Sequence, residues 1–386
     1  MDNSQTKRHV TTMSKIKTFI FTPNFSIRNV ILAIIIGFFI AYGTILSVYG
    51  IDDANQILSS LFVSEFKDSK SIASLFNKVV VLGLAGLAIG LGMRVGILNV
   101  GVSGQMTAGG FIGFHLVKTN QYLQDNKSFT LFIMIFIVVF VSMMTSVLAG
   151  IFKVYFKVHE IITTTLINWI VVFLVKAFAQ TNGYISPTST AGDTFFTAGH
   201  IWSYTILSLF FLTISILVVW VLFVKTKTGY KMIAIGKNEE AAKYAGYNNN
   251  KIVLGTFAAS GALAGLAAYV MFFLSFNKIS ANDFPIQIGY ESIAVALVAM
   301  LNPIAMVPSA IVFAILSGPL QGINIPGFTT PDVIFIFSGV ITYFVSITTL
   351  FFHLKPFQLM RRKMDLWKNV VYKPKKKKRG GVRWGR

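Results

Sequence analysis

Apolar residues in this chain come in long runs, from Val30 to Val48, Thr130 to Phe152, Ile201 to Val224, Val253 to Phe273 and Val333 to Phe352. Each is close to the roughly 20 residues with which an α-helix crosses about 30 Å of hydrocarbon. Shorter apolar stretches lie between them. The pattern predicts an all-α, polytopic membrane protein with ten spans, at about 30–49, 79–93, 96–117, 130–152, 160–180, 201–224, 252–276, 286–301, 303–320 and 332–353. The segments 286–301 and 303–320 are short and split by Asn302-Pro303, so they read either as two spans or as a re-entrant pair. Residues 1–29 and 354–386 are polar and basic ends flanking a membrane domain at 30–353, and Val30 to Val48 reads as a retained span rather than a signal peptide.

Composition agrees. Of 386 residues, 54% are hydrophobic and 12% charged, whereas a soluble domain carries about 25% charged residues. With no cysteine, disulfides, thiol chemistry and cysteine-ligated metals are excluded. The net charge of +20 is unevenly placed. Basic residues gather before the first span, in the 225–251 loop (Lys225, Lys227, Lys231, Lys237, Lys243, Lys251) and after His353, whereas the other long loops hold most of the acids. Basic loops stay cytoplasmic, which puts both termini and the 225–251 loop inside; Arg94, Lys153 and Lys157 then fall inside too. The Lys375–Arg379 run raises nucleic acid as a partner. It belongs to the same positive-inside pattern, however, and reads as a tail on anionic membrane lipids, each basic residue near the surface worth about 1 kcal/mol; nucleic acid is set aside.

Enzyme chemistry finds no foothold. His159-Glu160 opens a near miss for the zinc motif H-E-x-x-H, with Thr163 in place of the second histidine. Gly90, Gly92 and Gly96 have the wrong spacing for a dinucleotide loop, and Gly101-Val-Ser103-Gly104 is not a nucleophile elbow. There is no G-x-x-x-x-G-K-[ST], so the chain has no P-loop for ATP. Transport is what remains.

One stretch contradicts its surroundings. GMRVGILNVGVSGQMTAGG (92–110) falls where a span is expected, yet it holds Arg94, Asn99, Gln105 and six glycines. Two readings stand. The glycines form a seam for close helix packing, like Gly86/Gly90 and Gly261/Gly265; or an interrupted helix bares backbone beside a substrate path. Polar residues within spans are functional candidates, which singles out Asn99, Gln105, Asn168-Trp169, and Gln287 with Glu291 at i, i+4. Lys176 can snorkel to the interface, and Glu160 suits the first turn of a helix. Residues 238–246 read as a two-turn helix with Asn238 as N-cap, Glu239 and Glu240 at the positive end, Gly246 at C′, and a narrow face of Ala241, Tyr244 and Ala245. Too short to be stable alone, it needs a surface to lie on.

Four stretches together resemble the nucleoside and simple-sugar permeases of ABC importers. LNVGVSGQM (98–106) is similar to their F-N-I-G-x-E-G-Q-M, and HEIITTTLINWI (159–170) to N-E-V-I-x-T-L-M-L-N-Y-I. Residues 226–252, followed by SGALAGLAAY (260–269), resemble T-x-x-G-x-x-x-R-A-V-G-x-N-P-x-A-A-x-Y-A-G-I, and GYESIAVALVAMLNP (289–303) resembles G-F-x-G-I-A-V-A-L-L-G-x-x-N-P. The resemblance implies a permease subunit in the bacterial plasma membrane. Its substrate would be a nucleoside, a purine nucleoside foremost, or a simple sugar. It further implies separate ABC ATPase subunits that hold ATP-Mg, no cofactor on this chain, a second permease (identical or paralogous) and an extracytoplasmic substrate-binding lipoprotein. It assigns ATPase coupling to Gly229, Gly236, Asn238, Glu239, Ala241, Ala242, Tyr244, Ala245 and Gly246. Ser103 stands where the family has glutamate, Glu239 where it has proline, and Glu291 where a small or neutral residue is usual. The alternative is an ion-coupled secondary transporter using Glu291 or Glu160.

Overall fold

The computed structural model describes residues 27–63, 66–184, 193–194, 201–275, 278–279 and 287–316, with a few isolated positions between 336 and 344. Apart from those isolated positions, the expected span at 332–353 lies outside the described residues, as do residues 1–26 and 354–386 of the basic ends. The body of the protein is Gly37–Ser346; a second unit comprises Met1–Ile36 and Ile347–Arg386.

Thirteen helices are described: α1 (Ile27–Tyr49), α2 (Ile51–Val63), α3 (Ser69–Arg94), α4 (Val102–Thr119), α5 (Gln121–Asp125), α6 (Lys127–Phe156), α7 (Glu160–Thr181), α8 (Ile201–Lys225), α9 (Lys227–Lys237), α10 (Glu239–Tyr244), α11 (Asn249–Tyr269), α12 (Gln287–Val298) and α13 (Met306–Leu316). A π-helical turn, Val270–Ser275, continues α11. Two short antiparallel strands, β1 (Asp193–Thr194) and β2 (Lys278–Ile279), pair Asp193 with Ile279. Among the described residues five helices are long and apolar enough to cross a membrane. The chain is an all-α, multi-pass membrane protein.

The helices sort into a core and a shell. α3 and α11 are buried along most of their length. α6 instead buries one stripe, Met134, Val138, Ser142, Ser146 and Ala149, and exposes Phe132, Phe136, Phe140, Met144 and Leu148 on its other side. Such a long, oily outer face suits a lipid surround. Glycines set the spacing within the core. A Cβ on Gly261 would fall 2.8 Å from the Ser142 carbonyl oxygen and one on Gly265 2.6 Å from Val139 Cα, so α11 and α6 meet backbone to backbone. Gly86 and Gly90 make room on α3 for side chains instead, Val295 of α12 and Met306 of α13. The predicted small-residue seams are present.

Several boundaries differ from expectation. The span expected at 79–93 begins ten residues earlier, at Ser69. Its added turns bury Asn77, which donates to Thr205 Oγ1 at 3.2 Å and accepts from Ser208 Oγ at 2.7 Å, gluing α3 to α8. The acidic stretch around Asp52 and Asp53 is not a loop: α2 carries both in its first turn, where acids offset the helix dipole, and buries Ala54 and Ile57. The stretch expected as one span at 96–117 is helical only from Val102. The described lengths of α12 and α13, 12 and 11 residues, reach about 18 and 16 Å.

Connections expected on one side of the membrane cluster at one end of the bundle. There Gly96 packs on Gly236, Lys153 bonds Glu160 at 2.6 Å, and Arg94 reaches Leu301. The opposite end brings Tyr184 to His115 at 3.0 Å and Trp202 to Ser69 at 2.7 Å.

Candidate functional site

The break between α3 and α4 organises the site. The amides of Val95 and Ile97 both donate to the Gly92 carbonyl, at 2.9 and 3.0 Å, and Gly96 takes φ +79°, so the chain reverses instead of extending α3. Non-helical backbone then climbs back into the bundle as far as Gly101. Irregular backbone at membrane depth must have its polar groups satisfied from within the protein. Asn99, fully buried, does this work. Its Oδ1 accepts from Gly101 N (3.1 Å) and Gln105 Nε2 (3.0 Å), and its Nδ2 donates to Gln105 Oε1 (3.2 Å) and Ser260 Oγ (2.9 Å). Ser260 Oγ passes the chain on to the Ala88 carbonyl at 2.8 Å, while Ser142 Oγ donates to the Gln105 carbonyl at 2.8 Å. Asn99 and Gln105 therefore clamp each other and tie the start of α4 to α3, α6 and α11.

Glycines let neighbouring helices close on that start. A Cβ on Gly104 would lie 2.7 Å from Asn168 Cα in α7, and one on Gly289 would lie 2.6 Å from Ser103 Cα. Asn168 stands eight residues into α7, about 12 Å along its axis. The N-terminal ends of α4 and α12 thus meet inside the bundle. Across this junction the Asn168 amide donates to the Tyr290 hydroxyl. Asn168 is 1% exposed and its Oδ1 has no protein hydrogen-bond partner. A buried acceptor left in that state costs about 1–3 kcal/mol. Glu291 follows Tyr290 on α12 and is half-buried. Gln287 opens α12, but its side chain lies outside the description. Trp169 is not at the junction: it is 40% exposed and stacks on Phe173 at 5.7 Å. Glu160 lies at the bundle's end, held by Lys153.

The second cluster lies at that same end. Thr226 caps α9 by accepting from Gly229 N at 3.0 Å. Gly229 and Gly236 are packing glycines, since a Cβ on the first would overlap the Leu222 carbonyl and one on the second the Arg94 carbonyl. Asn238 closes α9 and opens α10, accepting from Ala241 N at 2.9 Å. Gly246 leaves α10 at φ +81°, with Gly246 N on the Lys243 carbonyl and Tyr247 N on the Ala242 carbonyl. Asn249 Nδ2 holds the Glu239 carbonyl at 2.8 Å, fixing α10 to the start of α11. Ala242 is buried against the protein's own helices. Glu239, Ala241, Ala245 and above all Tyr244, 93% exposed, face outward. A cleft of about 220 Å³, lined by Val95, Gly96, Lys153, Gly236 and Glu239 among others, opens where this cluster meets the break.

The family model for the permease component of branched-chain amino acid transport systems matches residues 71–346. The chain belongs to this permease family. Among curated proteins, the permease is 28% identical over 357 residues to the uncharacterized protein MG120 of Mycoplasma genitalium, covering 87% of this chain and 67% of that one. It is 24% identical over 336 residues to the nucleoside ABC transporter permease protein NupB of Lactococcus lactis (82% and 90%). To the guanosine ABC transporter permease protein NupP of Bacillus subtilis it is 23% identical over 329 residues (83% and 91%). No solved structure matches it. The matched region contains both clusters.

Sequence reading of the permease missed Tyr290, Ser260 and Ser142. A tyrosine beside a glutamate and serines in apolar helices carry no periodic signal; only the meeting of α4, α6, α7, α11 and α12 makes them partners.

Proposed function

We propose that this permease is the membrane-spanning subunit of an ATP-driven importer of nucleosides in the bacterial plasma membrane, with the solute passing the α4–α7–α12 junction. The observation that carries the reading is the buried Asn168 amide, bridged to Tyr290 and left with an open acceptor, where two helix N-termini converge. Helices whose positive ends meet inside a bundle, beside irregular backbone, are how transporters present polar groups to a solute. An amide, a phenol and backbone donors suit a neutral solute with hydroxyl and amine groups, such as a nucleoside. NupB and NupP, named for nucleosides and guanosine, support that class over a simple sugar. Asn99 and Gln105 hold the junction's geometry, and Trp169 faces the surroundings.

ATP-Mg is bound and hydrolysed on separate ABC ATPase subunits, which receive the outward face of α10. A second permease copy or paralogue and an extracytoplasmic substrate-binding lipoprotein complete the importer. Both ends and the 225–251 loop are cytoplasmic.

Asn168→Leu tests the reading. It should cut uptake of labelled guanosine by roughly tenfold, the scale of one buried hydrogen bond to solute, with membrane level and ATPase association unchanged. Loss of the protein from the membrane would instead make Asn168 a packing residue, and unchanged uptake would remove the junction from the path.

A further inference from the structure

α12 ends in an unusual way. Met300 N donates to the Leu297 carbonyl and Leu301 N to the Ala296 carbonyl, both at 3.0 Å, the paired bonds of a Schellman C-cap. That motif places its C′ residue in the left-handed region, where glycine is usual. Here Met300 occupies it at φ +52°, and Leu301 follows at φ +59°. Two consecutive side-chain-bearing residues in this region persist only where surrounding structure imposes the conformation.

The structure supplies one agent. Arg94, the last residue of α3, donates from Nε to the Leu301 carbonyl at 2.8 Å, a charge-assisted bond from a rigid guanidinium. The same guanidinium lies 4.6 Å from the Phe223 ring centroid at the end of α8. Arg94 is also the residue whose backbone carbonyl the Gly236 backbone crowds. One residue therefore touches the end of α9 with its backbone and the α12–α13 turn with its side chain. α12 in turn carries Tyr290 to Asn168.

We propose that Arg94 is a positioning residue: it holds the Met300–Leu301 turn in its left-handed form and thereby relays movement of the α9–α10 segment to α12. The relay rests on the importer reading above; the holding of the turn does not. Arginine suits the task because it grips the carbonyl and stacks on Phe223 at once, which lysine cannot do.

The test uses the full chain, which has no native cysteine, carrying Ala299→Cys in the turn, a position 2% exposed. In detergent, Arg94→Ala should raise its rate of modification by N-ethylmaleimide by roughly tenfold, as the strained turn opens more often. Adding Met300→Gly and Leu301→Gly, which remove the strain, should return the rate to within about twofold of the parent. Arg94→Gln, which keeps a donor without the stacking, should fall between and serves if the alanine variant does not fold. An unchanged rate in both Arg94 variants, or a raised rate that the glycines leave unchanged, would overturn the holding role. In the reconstituted importer, Arg94→Ala should lower maximal uptake by roughly tenfold with the solute KM and ATPase association intact, and the glycine pair should leave that loss in place. Normal uptake with a raised labelling rate would overturn the relay alone, whereas a parent complex that imports no nucleoside would sink the importer reading and leave the labelling result standing.

Discussion

Replacing Gly104 with alanine probes the contact on which the junction depends. The new methyl carbon would sit 2.7 Å from Asn168 Cα and 2.6 Å from Asn168 Oδ1. Carbon atoms rest about 3.5–4.0 Å apart, so α4 and α7 must separate by roughly 1 Å, and the obstacle on the α7 side is backbone, which no rotamer change can move. Overpacking of this kind costs about 1–3 kcal/mol. Set against it is the gain of up to about 1 kcal/mol when alanine replaces glycine in a helix. Gly255 in α11 supplies the control, because nothing lies within 4 Å of a Cβ there; Gly255→Ala should keep the propensity gain alone. The propensity gain is common to both and cancels, so the two variants should differ by the overpacking cost, about 1–3 kcal/mol, with Gly104→Ala the less stable, measured as thermal loss of the monodisperse peak in detergent. Uptake should fall further than stability, since separation of the helices also pulls Asn168 from Tyr290. Equal melting of the two variants would refute the close approach of α4 and α7.

Three more perturbations follow from the geometry. Tyr244→Ala combined with Ala241→Glu changes the outward face of α10 without touching buried Ala242, and should reduce ATPase co-purification by at least about tenfold, the effect of losing an aromatic anchor, while membrane level holds; retained co-purification with normal uptake would refute a docking role for this face. A cysteine at Tyr122, 61% exposed, should react with an impermeant thiol reagent added to intact cells, and one at Asn250, exposed at the start of α11, only after permeabilisation; the reverse pattern would invert the topology and the direction of transport. Glu291→Gln should leave the pH profile of uptake unchanged, and a lost or shifted profile would support ion coupling instead.

How much of this was legible in the sequence follows from the range of the forces involved. Long apolar runs report α6 and α8 directly, because lipid contact demands a hydrophobic surface along a whole helix, and α11 by the same run of apolar residues, here turned into the core. α10 was legible down to its caps, since Asn238 and Gly246 act on their own neighbours. The interruption around Asn99 was also visible, as clustered glycine and amide residues weaken a helix locally. What could not be read depended on partners far along the chain. Ser260 lies 161 residues from Asn99 and Arg94 207 from Leu301. α2 escaped because its two aspartates mask a short buried face. Trp169 was grouped with Asn168 by adjacency, yet successive helical residues point about 100° apart, and only the packed bundle shows which one is enclosed.

Import itself is the most direct test. Proteoliposomes holding the permease with its ATPase subunits and second permease should accumulate labelled guanosine when ATP and the binding lipoprotein are supplied on their respective sides. Unlabelled nucleosides should compete with it and glucose should not. The Asn168→Leu complex, assembled to the same level, should accumulate little. ATP-independent accumulation driven by a pH or sodium gradient, or full uptake by the Asn168→Leu complex, would contradict the account.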